Sequence, residues 1–257
     1  MAKAMLVDFS LCIGCRACQV ACKAWNQNEA EKTENDGTYE NPPDLSSKTW
    51  TKIKFVEEGK SPDVKWFFRR MMCQHCTEAA CEQVCPPKAI SHQETTAVVI
   101  DQDKCTGCKY CISACPFSVP RYDAETNTAK KCTLCIDRIS NEMTPACAKV
   151  CAPGAVKFGE RAEMVKIGKE RVDILKDAGN ADAMLYGETE LGGLGVMMVL
   201  TATPETFGLP ADPAIPLSVG LWQNILKPLT IVAGVGGLAA AVISRIGSIG
   251  YKHAEED

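Results

Sequence analysis

Cys105-Thr-Gly-Cys108-Lys-Tyr-Cys111-Ile-Ser-Ala-Cys115-Pro116 is the stretch from which the rest of the chain is read. Its spacing, C-x2-C-x2-C-x3-C-P, is the run through which cysteine thiolates hold bacterial-type iron–sulfur clusters. Three cysteines at intervals of three wrap a tight loop around one cubane. The fourth, after a longer step into a helix, points away to a neighbouring cluster. One such run therefore demands a partner run.

Three further tetrads answer it. Cys12, Cys15, Cys18 and Cys22 repeat the spacing, with Lys23 in place of the proline. Gly14 stands where a tight loop profits from a residue tolerant of positive φ. Cys73, Cys76, Cys81 and Cys85 carry two extra residues before the third cysteine and end on Pro86. Cys132 and Cys135 join Cys147 and Cys151 across an 11-residue loop, with the proline displaced to Pro153. Every one of the 16 cysteines belongs to a tetrad, which turns cysteine richness into a metal-site argument.

Other uses of cysteine fit less well. Disulfide scaffolds are usually short secreted chains, and bridges between neighbours three apart are strained. Structural zinc suits Cys132 and Cys135 with Cys147 and Cys151, and a zinc or redox-sensing protein is the reading from another class. Three cysteines within seven residues, however, crowd a single tetrahedral ion. A length of 257 residues allows one large or two modest domains. With 28 basic and 32 acidic residues, a net charge of −4 and no basic block, nothing points to nucleic acid. Residues 1–8 contain no apolar core of signal-peptide length, so work outside the cytoplasm would require carriage by a folded partner.

Between the tetrads the pattern is that of an α+β chain. Short strands are expected at Ala4–Asp8, Ala97–Asp101 and Gly154–Gly159, and a hairpin from Trp50–Val56 to Val64–Arg69. Trp50 and Trp66 are expected to pack over the cluster core. Glu160–Ala178 reads as an amphipathic helix, Gly195–Leu200 as a buried strand and Thr203–Pro216 as an extended linker. The resulting division is a four-cluster domain over 1–159 with an inserted hairpin region at 23–72. A helix and linker follow over 160–216, then a transmembrane helix over 217–248 and a tail over 249–257.

The membrane assignment rests on Leu229–Ser244, 16 residues without a charge. With Lys227 and Arg245 as snorkelling ends the helix reaches about 28 Å, against a hydrocarbon core of about 30 Å. Trp222 would anchor it at the interface. Stripes of small residues at Gly236, Ala240 and Ser244, and at Ala233, Gly237 and Ala241, suit close packing against another membrane helix.

Crossing fourth cysteines force the tetrads to pair. Joining the second and third gives Cys73, Cys76, Cys81 and Cys115 as one ligand set and Cys85, Cys105, Cys108 and Cys111 as another. The first and fourth then supply Cys12, Cys15, Cys18 and Cys151, and Cys22, Cys132, Cys135 and Cys147. On spacing alone, pairing first with second and third with fourth stays open. His75 sits inside a cluster loop as an outer neighbour, and Lys109 and Tyr110 adjust field and solvent access. No Ser–His–Asp set, phosphate loop or carboxylate pair is apparent, so no catalytic residue is assigned.

The tetrads in this order resemble the four-cluster iron–sulfur subunits of membrane-bound molybdenum or tungsten oxidoreductases, and most of all those of respiratory formate dehydrogenase. The resemblance is carried by Cys12–Cys22 with Trp25-Asn26, by Asn41–Trp50, by Cys115–Arg121, by Lys131–Arg138 with Pro145–Cys147, and by Trp222 with Leu226–Leu229. Cys151-Ala-Pro departs from the family's usual Cys-Pro. The tetrads alone are shared with nitrate, sulfoxide and polysulfide reductase partners and some hydrogenase subunits. The resemblance implies two ferredoxin-like double-cluster modules, four [4Fe-4S] clusters and the first-with-fourth pairing. It also implies a non-catalytic relay from a molybdo- or tungstopterin catalytic subunit, through the sets containing Cys12, Cys22, Cys73 and Cys105 in turn, to a cytochrome b subunit. The chain would be a single-pass membrane protein in contact with lipid. Arg245 and Lys252 place its C-terminus in the cytoplasm and the cluster domain on the periplasmic side. Metal analysis of the purified chain is expected to give roughly sixteen irons and sixteen acid-labile sulfides if all four sets hold cubanes. Zinc without inorganic sulfide would refute that reading.

Overall fold

The computed structural model describes residues 2–221 together with Thr230 and Ala241. In chain order the first elements are β1 (Lys3–Asp8), α1 (Ala17–Trp25), β2 (Lys52–Glu58), β3 (Lys65–Met71) and α2 (Ala80–Gln83). Next come β4 (Ile90–His92), β5 (Val98–Ile100), α3 (Tyr110–Ala114), β6 (Arg121–Asp123) and β7 (Thr128–Lys130). The chain continues with α4 (Ile136–Ile139), α5 (Ala146–Lys149), β8 (Val156–Glu160), α6 (Arg161–Asp177), β9 (Met184–Tyr186), β10 (Val196–Leu200) and α7 (Leu217–Leu221). The expected short strands, hairpin and long helix are all present.

The ends of the cluster region are held together by one sheet of order β8-β1-β10-β9. Its central strand β1 pairs antiparallel with β8, setting Met5 opposite Phe158, and parallel with β10, setting Met5 opposite Val196. Ala4-Met5-Leu6-Val7 is an unbroken apolar run because both faces of the strand are covered. Ala4 and Leu6, with Met197 and Val199, meet Met164 and Val172 of α6. Met5 and Val7, with Val196, Met198 and Leu200, face the core that contains Cys18, Cys73, Cys132 and Cys147. Period-two alternation thus gives one sheet two jobs.

Residues 160–215 belong to the same compact unit as the tetrads, and Pro216 opens a second unit. The stretch expected to be an extended linker is instead folded into the core. Phe207 and Leu209 are buried there, and Arg69 donates to the carbonyls of Phe207 at 2.6 Å and Gly208 at 2.9 Å. Four prolines break regular structure but do not prevent the apolar side chains between them from being buried.

The hairpin of β2 and β3 pairs Phe55 with Phe68. Trp66, 45% exposed, joins Tyr39, Phe55 and Phe68 in a half-open aromatic group, whereas Trp50 packs on the core and donates its Nε1–H to the Ser47 carbonyl at 2.7 Å. Only Trp50 therefore fits the expected role over the core. Among the described residues no helix is long and apolar enough to cross a membrane. The span expected over 217–248 lies, beyond α7, outside the described residues apart from Thr230 and Ala241. Leu6→Ala is expected to cost about 2–5 kcal/mol through the cavity it leaves between β1 and α6. Ile174→Ala, at an exposed site of the same helix, should stay within about 0.5 kcal/mol. Denaturant unfolding of the two variants checks the contrast.

Candidate metal centres

Each tetrad begins with the same backbone device. The residue two after the first cysteine is left-handed in all four loops, with φ of 66° at Gly14, 50° at His75, 66° at Gly107 and 58° at Leu134. This turns the backbone N–H inward: that of His75 donates to Cys73 Sγ at 3.4 Å and that of Leu134 to Cys132 Sγ at 3.4 Å. The equivalent N–H of Gly14 serves Cys12. In the two close-spaced loops Arg16 and Lys109 are also left-handed, at 62° and 65°, just before α1 and α3. Glycine is absent from two of the four positions, so a glycine-based reading finds only half of the motif. At Gly107 the substitution limit is severe, because a Cβ there would lie 2.4 Å from the Asn127 carbonyl oxygen.

The loops deliver the cysteines into groups that cross tetrad boundaries. Cys12, Cys15, Cys18 and Cys151 line one cavity. Cys73, Cys76, Cys81 and Cys115 line a second, and Cys85, Cys105, Cys108 and Cys111 a third. Cys22 and Cys147 are electrostatic neighbours of each other and of both Cys132 and Cys135. Cys151 thus stands with the first tetrad, so the zinc-like grouping of Cys132, Cys135, Cys147 and Cys151 is broken up. Among the described residues no three His, Cys, Asp or Glu side chains converge on a point suited to one ion. The thiols surround cavities, as donors to a multi-iron cluster must.

The groups are adjacent in a row. Cys18 interacts electrostatically with Cys147, Cys132 with Cys73, and Cys81 with Cys111. Only Cys15, in the first group, and Cys108, in the last, are exposed. Burial raises the interior thiols, Cys22 and Cys81 up to about 12 and Cys135 to about 11, with neighbouring thiols adding to the rise. Iron binds the thiolate, so loading these cavities releases protons and needs compensating charge or donors. Further donors are in place: Ala89 N–H to Cys85 Sγ at 3.2 Å and Ala129 N–H to Cys105 Sγ at 3.4 Å.

His75 supplies one more. It is buried in the lining of the cavity containing Cys73, and its Nδ1 accepts the Val98 N–H at 3.0 Å. The ring proton is therefore on Nε2, which is buried without a partner among the described residues. An orphaned N–H beside a cavity lined by Cys73, Cys76, Cys81 and Cys115 is the feature an inorganic sulfide would satisfy, so the residues fit a cluster with His75 as an outer donor. His92 is occupied elsewhere, with Nδ1 against Glu82 Oε2 at 2.5 Å and Nε2 against the Cys76 carbonyl at 2.9 Å. Lys109 lies over the Tyr122 ring at 4.0 Å, and Tyr110 is exposed.

A 4Fe-4S dicluster domain matches residues 64–161, and a 4Fe-4S binding domain matches residues 3–24. Over 99% of its length the chain is 44% identical to the formate dehydrogenase iron–sulfur subunit of Haemophilus influenzae, covering 82% of that protein. The chain belongs to the family of formate dehydrogenase iron–sulfur subunits. It is also 41% identical to the nitrate-inducible formate dehydrogenase iron–sulfur subunit of Escherichia coli, over 99% of this chain and 88% of that one. Likeness to the formate dehydrogenase subunit beta of Megalodesulfovibrio gigas is 38%, over 72% and 88%. Membership bears out the resemblance read from the motifs, and the chain is an electron-transfer subunit built on 4Fe-4S domains. Gly107→Ala should close the Cys105–Cys108 loop to its cluster and lower iron by about four atoms per chain, one cubane. Iron analysis and the loss of one low-temperature EPR signal check this.

Proposed function

We propose that this subunit is the electron relay of a membrane-bound formate dehydrogenase, joining a molybdo- or tungstopterin catalytic subunit to a cytochrome b subunit that serves quinone. Four [4Fe-4S] clusters are held by the four cysteine groups described above. The observation that carries this reading is the row itself, in which only the two end groups expose a cysteine. Each cluster, when bound, supplies a one-electron couple whose potential follows its charge, its hydrogen bonds and its exposure to solvent.

The chain's own residues do the remainder. Cys12, Cys15, Cys18 and Cys151 form the receiving end, and Ile13 and Val20 expose apolar surface beside it for the catalytic partner. The groups containing Cys22 and Cys73 are shielded from water by the sheet, the hairpin and the core residues between them. Cys85, Cys105, Cys108 and Cys111 form the delivering end, where Tyr110 is 57% exposed. Residues 217–248 anchor the subunit as a single span in lipid, with the clusters on the periplasmic side. The uncharged run and the basic residues that follow it support this orientation.

Membranes solubilised in mild detergent are expected to yield this chain with a pterin-containing subunit and formate-dependent dye reduction. Lack of that activity would sink the formate assignment and leave the relay standing. In the same complex, Cys111→Ser should remove one EPR signal and block quinone reduction while dye-linked formate oxidation continues. Equal loss of both activities would mean a different relay order or a failure of assembly.

A further inference from the structure

Two cations, Arg70 and Lys131, are sealed inside the unit with no carboxylate beside either among the described residues. They are 3% and 4% exposed. Arg70 Nε donates to Thr51 Oγ1 at 3.2 Å, and a terminal guanidinium N–H reaches Met5 Sδ at 3.1 Å. Lys131 Nζ donates to the carbonyl of Val98 and, at 3.1 Å, to that of Cys132. Among the described residues no ion pair includes either side chain. Neutral partners leave the charge itself uncompensated, and a buried charge in that state is strongly destabilising.

What surrounds both charges is cysteine sulfur. Arg70 lines the cavity of the first group and interacts with Cys18 there and with Cys22, Cys132 and Cys147 of the second. Lys131 lines the cavity of the third group and interacts with Cys73 and Cys81 there and with Cys132 of the second. One cation thus stands at each of the first two junctions of the row.

We propose that Arg70 and Lys131 are internal counter-ions of the relay, each raising the reduction potential of the two clusters whose junction it occupies. Adding an electron makes a cluster more negative, and a fixed positive charge in a low-dielectric interior favours that form. The second group adjoins both cations, whereas the fourth adjoins neither. Lys109 lines the fourth cavity, but it is exposed, so solvent and salt screen it. The inference rests on the ligand groups proposed above.

The test is an EPR-monitored redox titration of the full-length subunit with whatever subunits co-purify, in wild type, Arg70→Met and Lys131→Met. Iron and acid-labile sulfide in the wild type decide separately whether the ligand groups hold clusters. Each methionine variant is expected to shift two of the four couples at least tenfold toward the oxidised form at fixed potential. For a one-electron couple that is about 59 mV more negative. One couple should move in both variants and one in neither, while Arg70→Lys and Lys131→Arg keep wild-type values. Unmoved or more positive potentials at full iron content would overturn the proposal. If a methionine variant loses iron, retention by its charge-keeping counterpart supports the counter-ion role. Equal loss in both would overturn it in favour of packing.

Discussion

The pairing of β1 with β8 is the contact on which the rest of the structure depends. It joins residues near the start of the chain to residues more than a hundred positions later, with Val7 opposite Val156. The loop that follows β1 carries Cys12, and the segment that precedes β8 carries Cys151. Registering these strands therefore brings Cys151 to Cys12, Cys15 and Cys18. Entropy opposes closing so long a loop, although the cost grows only slowly with length. The burial of β1 on both faces offsets that cost, since Ala4, Met5, Leu6 and Val7 are all removed from water. β10 adds a parallel partner on the other side of β1, and α6 covers the face turned away from the cysteines. The sheet binds no metal in this scheme. It makes a group of four from cysteines that belong to different ends of the chain.

A second constraint follows from how dry that interior is. Thiols are pushed toward their neutral form by burial, and neighbouring sulfurs reinforce the effect. Binding multi-iron clusters there requires opposing terms, and the structure places them close to the sulfurs. Left-handed loop residues turn backbone N–H groups toward Cys73 and Cys132, and among the described residues His75 holds an unpartnered Nε2–H while Arg70 and Lys131 bring positive charge without a carboxylate to consume it. Where the row meets the surface, at Cys15 and Cys108, water takes over part of this task. The same burial that makes the centre of the row costly keeps solvent away from it, so protection and electrostatic compensation are aspects of one arrangement.

Much of the architecture is legible in local sequence because local forces set it. Trp50–Val56 and Val64–Arg69 alternate, and they form the hairpin of β2 and β3. The amphipathic run after Glu160 forms α6. Thr203–Pro216 misleads because proline spacing reports on hydrogen bonding and turns, not on whether Phe207 and Leu209 find an apolar pocket. Likewise, Gly14 and Gly107 mark the left-handed corner of two loops, but His75 and Leu134 adopt the same corner without the residue type that advertises it. Histidine visits this region more readily than most residues, but at Leu134 no local preference predicts it and the surroundings impose it.

The sequence by itself determined that sixteen cysteines fall into four tetrads of cluster-binding spacing, because a loop of three thiolates in seven residues is a short-range geometric requirement. It also determined the family, since that likeness extends over nearly the whole chain. Which cysteines of different tetrads lie side by side was open on spacing, and only the tertiary structure decided that grouping of the side chains. The reason is the register of β1 with β8, a long-range pairing that no interval between cysteines encodes. The placement of Arg70 and Lys131 between groups belongs to the same level. A basic residue in a strand or before a cysteine reads as solvent-facing until packing on every side removes the solvent.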